Sequence, residues 1–305
     1  MNISVVIPNY NGEDNLYKNL PKVFDAVGNA EIIVIDDAST DGSLKVLDSF
    51  KPKIKIIKNE KNFGFSSTVN FGVKAAEGDI VILLNTDVIP ERGFLSPLLS
   101  HFKDDKVFAV GCMDKNKEEG KIVLRGRGIG FWKRGFLIHA RGEVNKTNTL
   151  WVSGGSGAFR KSIWEKLGGF DNLYNPFYWE DIDLSYRAIK SGFKVLFEPK
   201  SVVFHEHEKG AIKKNFLPSQ IKSIAYRNQF IFVWKNATDL DLQFSHLFWL
   251  PYHFIKAFIR LDLAFFKGFF NAFIKLPQII KSSLRNQKLF ALRDNQVIAF
   301  GENNK

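Results

Sequence analysis

The stretch that decides the fold is Asp79-Ile80-Val81-Ile82-Leu83-Leu84-Asn85-Thr86-Asp87-Val88, an apolar run followed at once by polar residues. Such a run is typical of a central parallel strand buried on both faces. Ligands of open α/β sheets bind beyond the carboxyl ends of the strands, which is where Asn85 and Asp87 fall. A carboxylate is a hard oxygen donor suited to Mg²⁺ or Mn²⁺, so Asp87 is a candidate metal ligand. A turn or helix-cap role for this Asp is the alternative.

Length and charge indicate a folded protein with an anionic partner. The chain has 305 residues, enough for one domain of about 200–250 residues and an appendage. Its formal net charge is +11, which favours nucleic acid, an acidic membrane surface or a phosphorylated substrate as the partner. The charge alone does not choose among these classes.

The cysteine content and the N-terminus bear on the cell compartment. The single cysteine, Cys112, excludes an internal disulfide and a cysteine-rich zinc site. It follows the apolar run Val107-Phe108-Ala109-Val110-Gly111, which predicts a buried strand thiol rather than a nucleophile. The N-terminus enters a predicted strand without a basic region or a small-residue cleavage site, so we expect no export signal and a reducing compartment.

Strands and helices alternate through the first part of the chain. Periodicity predicts strands over 3–7, 32–35, 54–57 and 80–84, with helices between them. This rhythm predicts an α/β protein with a doubly wound, mostly parallel sheet flanked by helices. The strand over 3–7 ends in Pro8-Asn9-Tyr10-Asn11-Gly12 rather than Gly-x-Gly-x-x-Gly, and no phosphate loop is present, so both common nucleotide-binding motifs are missing.

Four motifs, in this order, carry a family resemblance. They are Val5-Val6-Ile7-Pro8-Asn9-Tyr10-Asn11-Gly12, Ile33-Val34-Ile35-Asp36-Asp37-Ala38-Ser39-Thr40-Asp41-Gly42-Ser43, Asn62-Phe63-Gly64-Phe65 and Leu84-Asn85-Thr86-Asp87. Together they resemble the N-terminal half of glycosyltransferase family 2, and within it the rhamnosyltransferase-like branch. The resemblance extends over residues 3–236. It implies a GT-A fold, a nucleoside-diphosphate sugar donor and a divalent cation, Mg²⁺ or Mn²⁺.

The resemblance also implies roles for residues in these motifs. Asp37 matches the family's Asp that hydrogen-bonds the pyrimidine base, while Pro8 and Tyr10 line the base pocket. Asp87 matches the metal-binding last residue of an Asp-x-Asp motif, whose first position here is the neutral Asn85. Because the site has one carboxylate fewer, we expect weak metal binding without a bound diphosphate. The residues assigned to the nucleotide sugar are Pro8, Tyr10, Asp37, Asn62, Asn85 and Asp87.

The segment 114–150 is basic and studded with glycine, as in Arg125-Gly126-Arg127-Gly128. Arginines with interleaved aromatics suit a nucleic-acid patch, but the enzyme motifs favour a solvated insertion loop or one side of an acceptor groove. We therefore expect no nucleic-acid partner. The small residues Ser153-Gly154-Gly155-Ser156 follow, and they let the backbone approach a ligand, although a tight turn is the alternative. In the family that the sequence resembles, the corresponding stretch borders the donor sugar and the acceptor.

Acidic residues crowd the first turn of a helix predicted after Trp179. Glu180, Asp181 and Asp183 lie where the helix dipole favours negative charge, and helix capping alone would explain each of them. By resemblance, Asp181 is the catalytic base of inverting transfer, and Glu180 is assigned to catalysis with it. The residues assigned to the acceptor are Gly155, Ser156, Trp179 and Asp183.

A strand predicted over 193–204 ends at His205-Glu206-His207-Glu208. The two histidines share a strand face, but without a third ligand in the sequence they do not predict a zinc site. By resemblance, His205 is a second ligand of the donor-bound cation, and a surface imidazole is the alternative.

The C-terminal part, from Phe244 to Leu276, is dense in Phe, Leu and Ile, yet charges leave no apolar run of about 18 residues that would span a bilayer. At helical spacing the basic residues Lys256, Arg260, Lys267 and Lys275 form one stripe. The opposite stripe consists of Phe258, Phe265, Phe269 and Phe273. Asp262 falls on the apolar side. The pattern predicts one amphipathic helix between Pro251 and Pro277 on an anionic membrane surface. Packing on the rest of the protein, or in an oligomer, is the alternative.

Taken together, the sequence predicts a catalytic domain over residues 1–236 and a basic, Phe-rich helical segment over 237–305. We expect inverting transfer of a sugar from dTDP-rhamnose or a UDP-sugar to a lipid-linked glycan in cell-surface polysaccharide synthesis. The expected place is the cytoplasmic face of the cell membrane, with peripheral attachment. The alternatives are a sugar nucleotidyltransferase, which would ordinarily carry a Gly-rich, basic loop after its first strand, and a catalytically inactive, membrane-bound glycan-binding scaffold.

Overall fold

The first part of the protein alternates strands and helices, as the periodicity predicts. The structure is a computed structural model that describes residues 1–118, 121–205 and 216–302. Its first elements are β1 (Ile3–Asn9), α1 (Glu13–Val27), β2 (Glu31–Asp36), α2 (Ser43–Ser49), β3 (Lys55–Lys58), α3 (Phe65–Ala75), β4 (Ile80–Leu84), β5 (Val88–Pro90) and α4 (Leu95–Ser100). All residues of β4 are 0% exposed, which confirms the predicted central strand.

The middle part adds strands where a loop was expected. Its elements are β6 (Val107–Glu118), β7 (Lys121–Arg125), β8 (Gly128–Lys133), β9 (Phe136–Arg141), β10 (Ser156–Arg160), α5 (Lys161–Leu167), α6 (Glu180–Lys190) and β11 (Lys194–His205). The prediction of a solvated loop over 114–150 is wrong, because β7 pairs with β6, and β8 pairs with β9 in a separate sheet. Glycine serves close packing here: a Cβ on Gly128 would lie 2.4 Å from the ring of Trp151.

The main sheet has the strand order β3-β2-β1-β4-β10-β6-β11-β5, with β7 paired to β6. β1 is parallel to β2 and β4, whereas β10 is antiparallel to both β4 and β6. β6 therefore runs in the same direction as β4, and β11 is parallel to β6. As a result, the carboxyl ends of β1, β2, β4, β6 and β11 all meet at one rim of the sheet.

Two hydrophobic cores lie on the two faces of the sheet. One contains Val5, Ile82 and the buried side of α1, and the other contains Val6, Leu83 and the buried sides of α3 and α6. Neighbouring residues of β1 and β4 thus face opposite cores, which is the alternation of a strand buried on both faces. The buried Cys112 lies in β6, as predicted.

The C-terminal part is a set of helices rather than the single predicted helix. They are α7 (Pro218–Asn236), α8 (Leu240–Ile259), α9 (Leu263–Ile274), α10 (Leu276–Gln287) and α11 (Asp294–Glu302). Pro251 lies inside α8 and does not delimit it, whereas the chain breaks at Leu261, which has a φ of 51°. The carboxylate of Asp262 stabilises the break, because it accepts a hydrogen bond from Tyr226 Oη at 2.9 Å and pairs with Lys222.

The predicted Phe stripe is divided by this break. Phe265 and Phe269 pack on Phe230 of α7, with ring centroids 5.6 and 5.3 Å apart, so they face the protein. Phe258 and Phe273 remain 72% and 55% exposed. Other exposed apolar side chains on α8, α9 and the turn between them are Leu240, Phe244, Leu247, Phe248, Ile255, Ile259, Leu261, Leu263, Phe270 and Ile274. Packing on the protein and an exposed apolar surface therefore coexist.

Membrane-spanning length is reached only by combining helices. Within the described ranges, no individual helix has both the length and the apolar composition needed to cross a membrane. The pair α9 and α10 meets both requirements together, with a bend of 64° between them.

Buried ionic contacts tie the C-terminal helices to α6. Lys190 of α6 pairs with the fully buried Asp294 of α11, which also accepts a hydrogen bond from Tyr186 Oη at 2.6 Å. Ser282 of α10 donates to Asp171 at 2.6 Å. The proposed boundary between residues 236 and 237 stays a prediction, while the contacts show that the helical segment packs firmly on the helix that carries Asp181.

Candidate active site

Asp37 anchors a loop at the rim. It follows β2, is 4% exposed, and accepts hydrogen bonds from the backbone N–H groups of Phe63 and Gly64, both at 2.9 Å. Asn59 Nδ2 donates to the same carboxylate at 2.7 Å. The Asn62-Phe63-Gly64-Phe65 motif is therefore tied directly to the Asp36-Asp37 motif, as two parts of one pocket would be. The contact of Asp37 with a pyrimidine base stays a prediction. A bound pyrimidine would share this carboxylate with the loop that contains Phe63 and Gly64.

The other predicted base-pocket residues lie at the same rim. Pro8 and Tyr10 are partly buried at the end of β1, with Pro8 opposite Ile35 of β2. Asn62 is exposed, and its Oδ1 accepts a hydrogen bond from the Gly64 N–H at 3.0 Å. The structure thus brings Pro8, Tyr10, Asp37 and Asn62 into one region, on the β1–β2 side of β4.

The glycine-rich stretch rests against the end of β4. The Asn85 N–H donates to the Gly155 carbonyl at 2.9 Å. A Cβ on Gly155 would lie 2.5 Å from Nδ2 of Asn85, so a larger residue would displace this side chain. Ser156 follows as the first residue of β10 and is 3% exposed. The backbone of this stretch is thus close to the end of β4, while its predicted approach to a ligand stays a prediction.

His205 lies between two carboxylates. Its Nε2 is 3.3 Å from Oδ2 of Asp87, and its Nδ1 is 3.2 Å from Oδ2 of Asp114. Burial opposes the charged form of the imidazole, but the hydrogen bonds to Asp114 and Asp87 outweigh it and raise the pKa of His205 to about 9. His207, the other histidine of this motif, lies outside the described residues.

The metal prediction can be tested against the chemistry of these donors. Among residues 1–118, 121–205 and 216–302, no three His, Cys, Asp or Glu side chains are placed to hold one metal ion. Mg²⁺ and related ions are commonly bound by one or two carboxylates together with substrate phosphates. Asp87 supplies an oxygen ligand, and His205 beside it supplies a nitrogen ligand once a cation displaces the proton that its raised pKa keeps on the ring. This pair fits a cation that is completed by a diphosphate.

Asp181 is the acidic residue that reaches the glycine-rich stretch. Its Oδ2 accepts a hydrogen bond from the Gly154 N–H at 3.3 Å, and its Oδ1 accepts one from the Ile182 N–H at 2.8 Å. Burial raises the pKa of Asp181, although these two hydrogen bonds act against the shift. A carboxyl with a raised pKa is a stronger base than an ordinary aspartate once it is ionised.

Glu180 differs from its neighbour in being closed off from solvent. It is 6% exposed, and its Oε2 has no hydrogen-bond partner among the described residues. Burial and the negative charge of Asp181 raise the pKa of Glu180 well above its ordinary value. Burial raises the pKa of both carboxyls, but only the pKa of Glu180 is raised well above its ordinary value. Glu180 therefore holds its proton more firmly, which leaves Asp181 as the better candidate base.

The turn before α6 has an unusual backbone. Tyr178 and Trp179 both have positive φ angles, 72° and 77°, which cost energy in residues with a Cβ. The ring of Trp179 is held between His139 and Phe232, with centroid distances of 5.2 and 5.1 Å. The aromatic contacts fix the position at which Glu180 and Asp181 enter the rim. The predicted contact of Trp179 with an acceptor stays a prediction.

Asp183 has a structural role that its sequence position did not reveal. It is 0% exposed, and its carboxylate accepts hydrogen bonds from Tyr174 Oη at 2.9 Å and from Arg187 Nε at 2.8 Å. Lys235 Nζ and Asn236 Nδ2 donate to it as well, at 2.9 and 2.7 Å. The assignment of Asp183 to the acceptor is therefore wrong, because a carboxylate surrounded by protein donors cannot reach a bound sugar.

Two residues that the sequence interpretation missed lie beside the predicted ones. Asp114 contacts His205 from β6, and His139 contacts Trp179 from β9. Asp114 directly follows the apolar run that ends at Met113, which is the same strand-end signal that identified Asp87. The glycines that follow it predict a loop from residue 114 onward, and this prediction obscures the strand-end signal. No local signal marked His139.

Solved structures share this architecture. GalNAc-T7, solved with UDP, GalNAc and Mn²⁺, superposes with a TM-score of 0.66 over 78% of this chain and 48% of its own, at 20% identity. The mannosyltransferase PcManGT of Pyrobaculum calidifontis, solved with GDP-Man and Mn²⁺, gives a TM-score of 0.56 over 98% of this chain and 84% of its own, at 17% identity. These likenesses confirm the GT-A fold.

Sequence relatives point to the same class. The O-antigen chain rhamnosyltransferase RfbN of Salmonella typhimurium strain LT2 is 27% identical over 218 residues, which are 68% of this chain and 67% of the relative. The O-antigen chain rhamnosyltransferase WbaN of Salmonella anatum is 26% identical over 224 residues, 71% of this chain and 68% of its own.

The fold and the acidic rim define a glycosyltransferase of the GT-A class. Residues 4–168, more than half of the chain, match the model of glycosyl transferase family 2. The chain belongs to that family, and it is similar to the rhamnosyltransferase-like branch, as the sequence motifs predict.

Proposed function

We propose that this glycosyltransferase is metal-dependent and inverting, and that it moves a sugar from dTDP-rhamnose or a UDP-sugar to a lipid-linked glycan. The observation that carries the proposal is the position of the Gly154-Gly155 backbone. Gly154 donates to the Asp181 carboxylate, and Gly155 accepts from Asn85 at the end of β4. The candidate base and the candidate metal-binding strand end therefore lie on either side of one backbone segment, where the reacting sugar would sit.

The reaction proceeds by a single displacement in this proposal. The acceptor hydroxyl attacks the anomeric carbon of the donor sugar from the face opposite the diphosphate. As the new glycosidic bond forms, the bond from the anomeric carbon to the phosphate oxygen breaks, and the hydroxyl proton passes to Asp181. Positioning of the acceptor beside the donor supplies much of the rate enhancement.

Asp87 and His205 would hold the divalent cation. When bound, Mg²⁺ or Mn²⁺ would stabilise the charge that develops on the departing nucleoside diphosphate. Asn85 supplies no second carboxylate, so the donor diphosphate completes the site. The Mn²⁺ found with GalNAc-T7 and with PcManGT supports a cation in this place.

The substrate classes rest on the relatives. RfbN and WbaN are named as rhamnosyltransferases of the O-antigen chain, which supports a deoxysugar donor and a role in cell-surface polysaccharide synthesis. GalNAc-T7 holds UDP and PcManGT holds GDP-Man, which supports a nucleoside-diphosphate sugar as the donor.

A peripheral position on the cytoplasmic face of the membrane completes the proposal. Exposed Phe248, Phe258 and Phe270 on α8 and α9 offer an apolar surface. The exposed Arg260 directly follows α8, and the exposed Lys267 lies on α9. Apolar groups with interspersed cations suit the interface of an anionic bilayer. A lipid-linked acceptor would be presented at that interface.

Nucleoside-diphosphate release from a panel of donors tests the proposal. The wild-type protein is incubated with dTDP-rhamnose, UDP-glucose, UDP-GlcNAc and GDP-mannose, with Mn²⁺ or with EDTA. We expect release from one pyrimidine donor, only with the cation, and an inverted anomeric centre in the sugar product by NMR. A sugar nucleotidyltransferase would instead consume pyrophosphate and release a nucleoside triphosphate. Release from none of the donors would favour the inactive scaffold.

A further inference from the structure

A cavity next to the candidate active site is lined by residues of the basic segment 114–150, to which the proposed function assigns no role. Its volume is about 430 Å³, within the range of about 300–1,000 Å³ that small-molecule sites occupy. Arg125, Arg127 and Arg141 line it, together with Trp151 and Ser156. These residues come from β7, from the β7–β8 connection, from β9 and from the stretch that leads into β10.

The cavity borders both groups of candidate reacting residues. Asp114, one of its lining residues, contacts His205, which in turn contacts Asp87. Ser153, another lining residue, directly precedes Gly154, whose N–H donates to Asp181. In the sheet order, β6 and β10 lie on the far side of β4 from β1 and β2. β4 therefore separates the cavity from the predicted base pocket. This position of the cavity suits an acceptor rather than a nucleotide.

The described lining residues carry more positive than negative charge. Three are arginines, and the carboxylate of Asp114 is engaged with the His205 imidazole at 3.2 Å. Arg127 is 5% exposed, and its Nε and one terminal nitrogen donate to Asn148 at 2.5 and 3.0 Å. The negative charge of Glu143 interacts electrostatically with Arg127, but the Glu143 side chain is largely exposed and pairs with Lys146.

Arg127 is held by tight local packing. A Cβ on Gly142 would lie 2.3 Å from its second terminal nitrogen, so glycine at 142 leaves room for the guanidinium. Arg141, by contrast, is an exposed residue at the cavity wall. One arginine is thus pre-positioned and the other is free to adjust, while Trp151 and His139 add aromatic surface and Ser156 a hydroxyl.

Guanidinium groups bind phosphate and carboxylate oxygens well, because their N–H donors match the spacing of those oxygens. Aromatic faces and hydroxyls suit a sugar ring. We propose that the cavity is the acceptor subsite and that it takes a sugar bearing an anionic group, either a phosphate ester or a carboxylate, which Arg127 and Arg141 bind. This inference rests on the proposed function and specifies the acceptor class for it.

Binding of three small sugars tests the proposal directly. Glucose 1-phosphate, glucuronic acid and methyl glucoside are titrated by saturation-transfer NMR in the presence of Mn²⁺ and a saturating concentration of UDP or dTDP, whichever binds. The bound nucleotide keeps the sugar phosphate out of the nucleotide site. Wild type should bind at least one anionic sugar about tenfold more tightly than methyl glucoside, the difference expected from one or two charge-assisted hydrogen bonds. The two anionic sugars separate a phosphate ester from a carboxylate.

Arg141 is the residue to vary, because Arg127 also holds Asn148 and its loss would affect folding. Arg141→Gln should remove most of the preference for the anionic sugar, and Arg141→Lys should retain part of it. Arg92→Gln makes the same charge change at a residue that is 83% exposed and pairs with Asp25, so it should keep the full preference.

Two results would overturn the acceptor assignment: equal binding of all three sugars by wild type, or an unchanged preference in Arg141→Gln. Failure of the proposed function would look different, because neither UDP nor dTDP would then bind with Mn²⁺. In that case the sugar titrations without nucleotide would still report on the cavity.

Discussion

Nε2 of His205 lies 3.3 Å from Oδ2 of Asp87, although the two residues are far apart in the sequence. Strand direction explains the contact. β4 and β11 run the same way across the intervening β10 and β6, so their carboxyl ends reach the same rim. Asp114 of β6 lies opposite Val203 of β11 and completes the group. A carboxylate and an imidazole held in this way form the part of the rim best suited to a cation on a diphosphate.

Asp181 and Asp183 should respond differently to the same chemical change. In Asp181→Asn the base is lost, so kcat should fall by about 10²- to 10⁴-fold, the usual contribution of general-base catalysis. The affinity for UDP and Mn²⁺ should stay unchanged, because Asp181 contacts Gly154 and not the candidate metal ligands. Steady-state kinetics and a nucleotide titration make this comparison.

In Asp183→Asn the change falls in a buried network. Arg187 would keep its charge without the carboxylate that it pairs with, and Lys235 would lose one of its two carboxylate partners and keep Asp171. Breaking such a buried pair costs about 3–5 kcal/mol, so the free energy of unfolding in urea should fall by that amount. A variant as stable as wild type but inactive would contradict the structural role assigned to Asp183.

Glu180 should make the protein less stable as the pH rises. Its pKa is raised in the folded state above the ordinary value of 4.5, first by burial and then by the charge of Asp181. Above pH 4.5 the folded protein therefore binds more protons than the unfolded chain, and the free energy of unfolding decreases until the pH passes the folded-state pKa. Glu180→Gln keeps a neutral group at this position and should flatten the decrease.

Thermal melts at a series of pH values from 4.5 upward measure this effect. Glu165→Gln is the matched control, since Glu165 is 59% exposed and pairs only loosely with Lys161. It should follow the wild-type pH dependence. If the curves of Glu180→Gln and wild type ran parallel, the proton assigned to Glu180 would be disproved.

The exposed apolar surface of α8 and α9 should bind anionic membranes. In flotation experiments, the protein should associate with vesicles of phosphatidylcholine and phosphatidylglycerol more strongly than with phosphatidylcholine alone, and salt should weaken the association. Arg260→Gln and Lys267→Gln should each lower the partition coefficient about fivefold, as expected for about 1 kcal/mol per basic residue at the surface.

Lys22→Gln, on the exposed side of α1, removes the same charge from another surface and should leave vesicle binding unchanged. Equal binding to neutral and anionic vesicles would contradict the electrostatic part of the account. Absence of binding to both would leave the apolar helices as a surface for protein partners.

Local patterns were enough to predict the parts of the fold that are governed by periodicity and strand ends. The run from Ile80 to Leu84 is apolar because both faces of β4 are buried, and that property is visible in the sequence. The position of Asp87 just beyond it follows from the same run. The motif that contains Asp37 was recognisable for the same reason, as a polar turn after a buried strand.

Properties that depend on tertiary contacts were not visible. Asp181 and Asp183 look alike in the sequence, and only the packing of α7, which brings Lys235 to Asp183, separates their roles. The glycines of segment 114–150 indicated a loop, yet Gly128 serves the packing of a strand against Trp151. The break at Leu261 was missed because Pro251 and Pro277 were the stronger local signals.

The most direct test is a calorimetric titration of the protein with UDP, dTDP and GDP, with and without Mn²⁺. The variants are Asp87→Ala and, as a control at the opposite end of the same strand, Asp79→Ala, which removes only a hydrogen bond to the Asn2 backbone. We expect one pyrimidine diphosphate to bind with an affinity that Mn²⁺ increases at least tenfold, about 1.4 kcal/mol. That increase should be lost in Asp87→Ala and kept in Asp79→Ala. Binding of no nucleotide, or binding that Mn²⁺ does not affect in wild type, would contradict a metal-dependent transferase centred on Asp87.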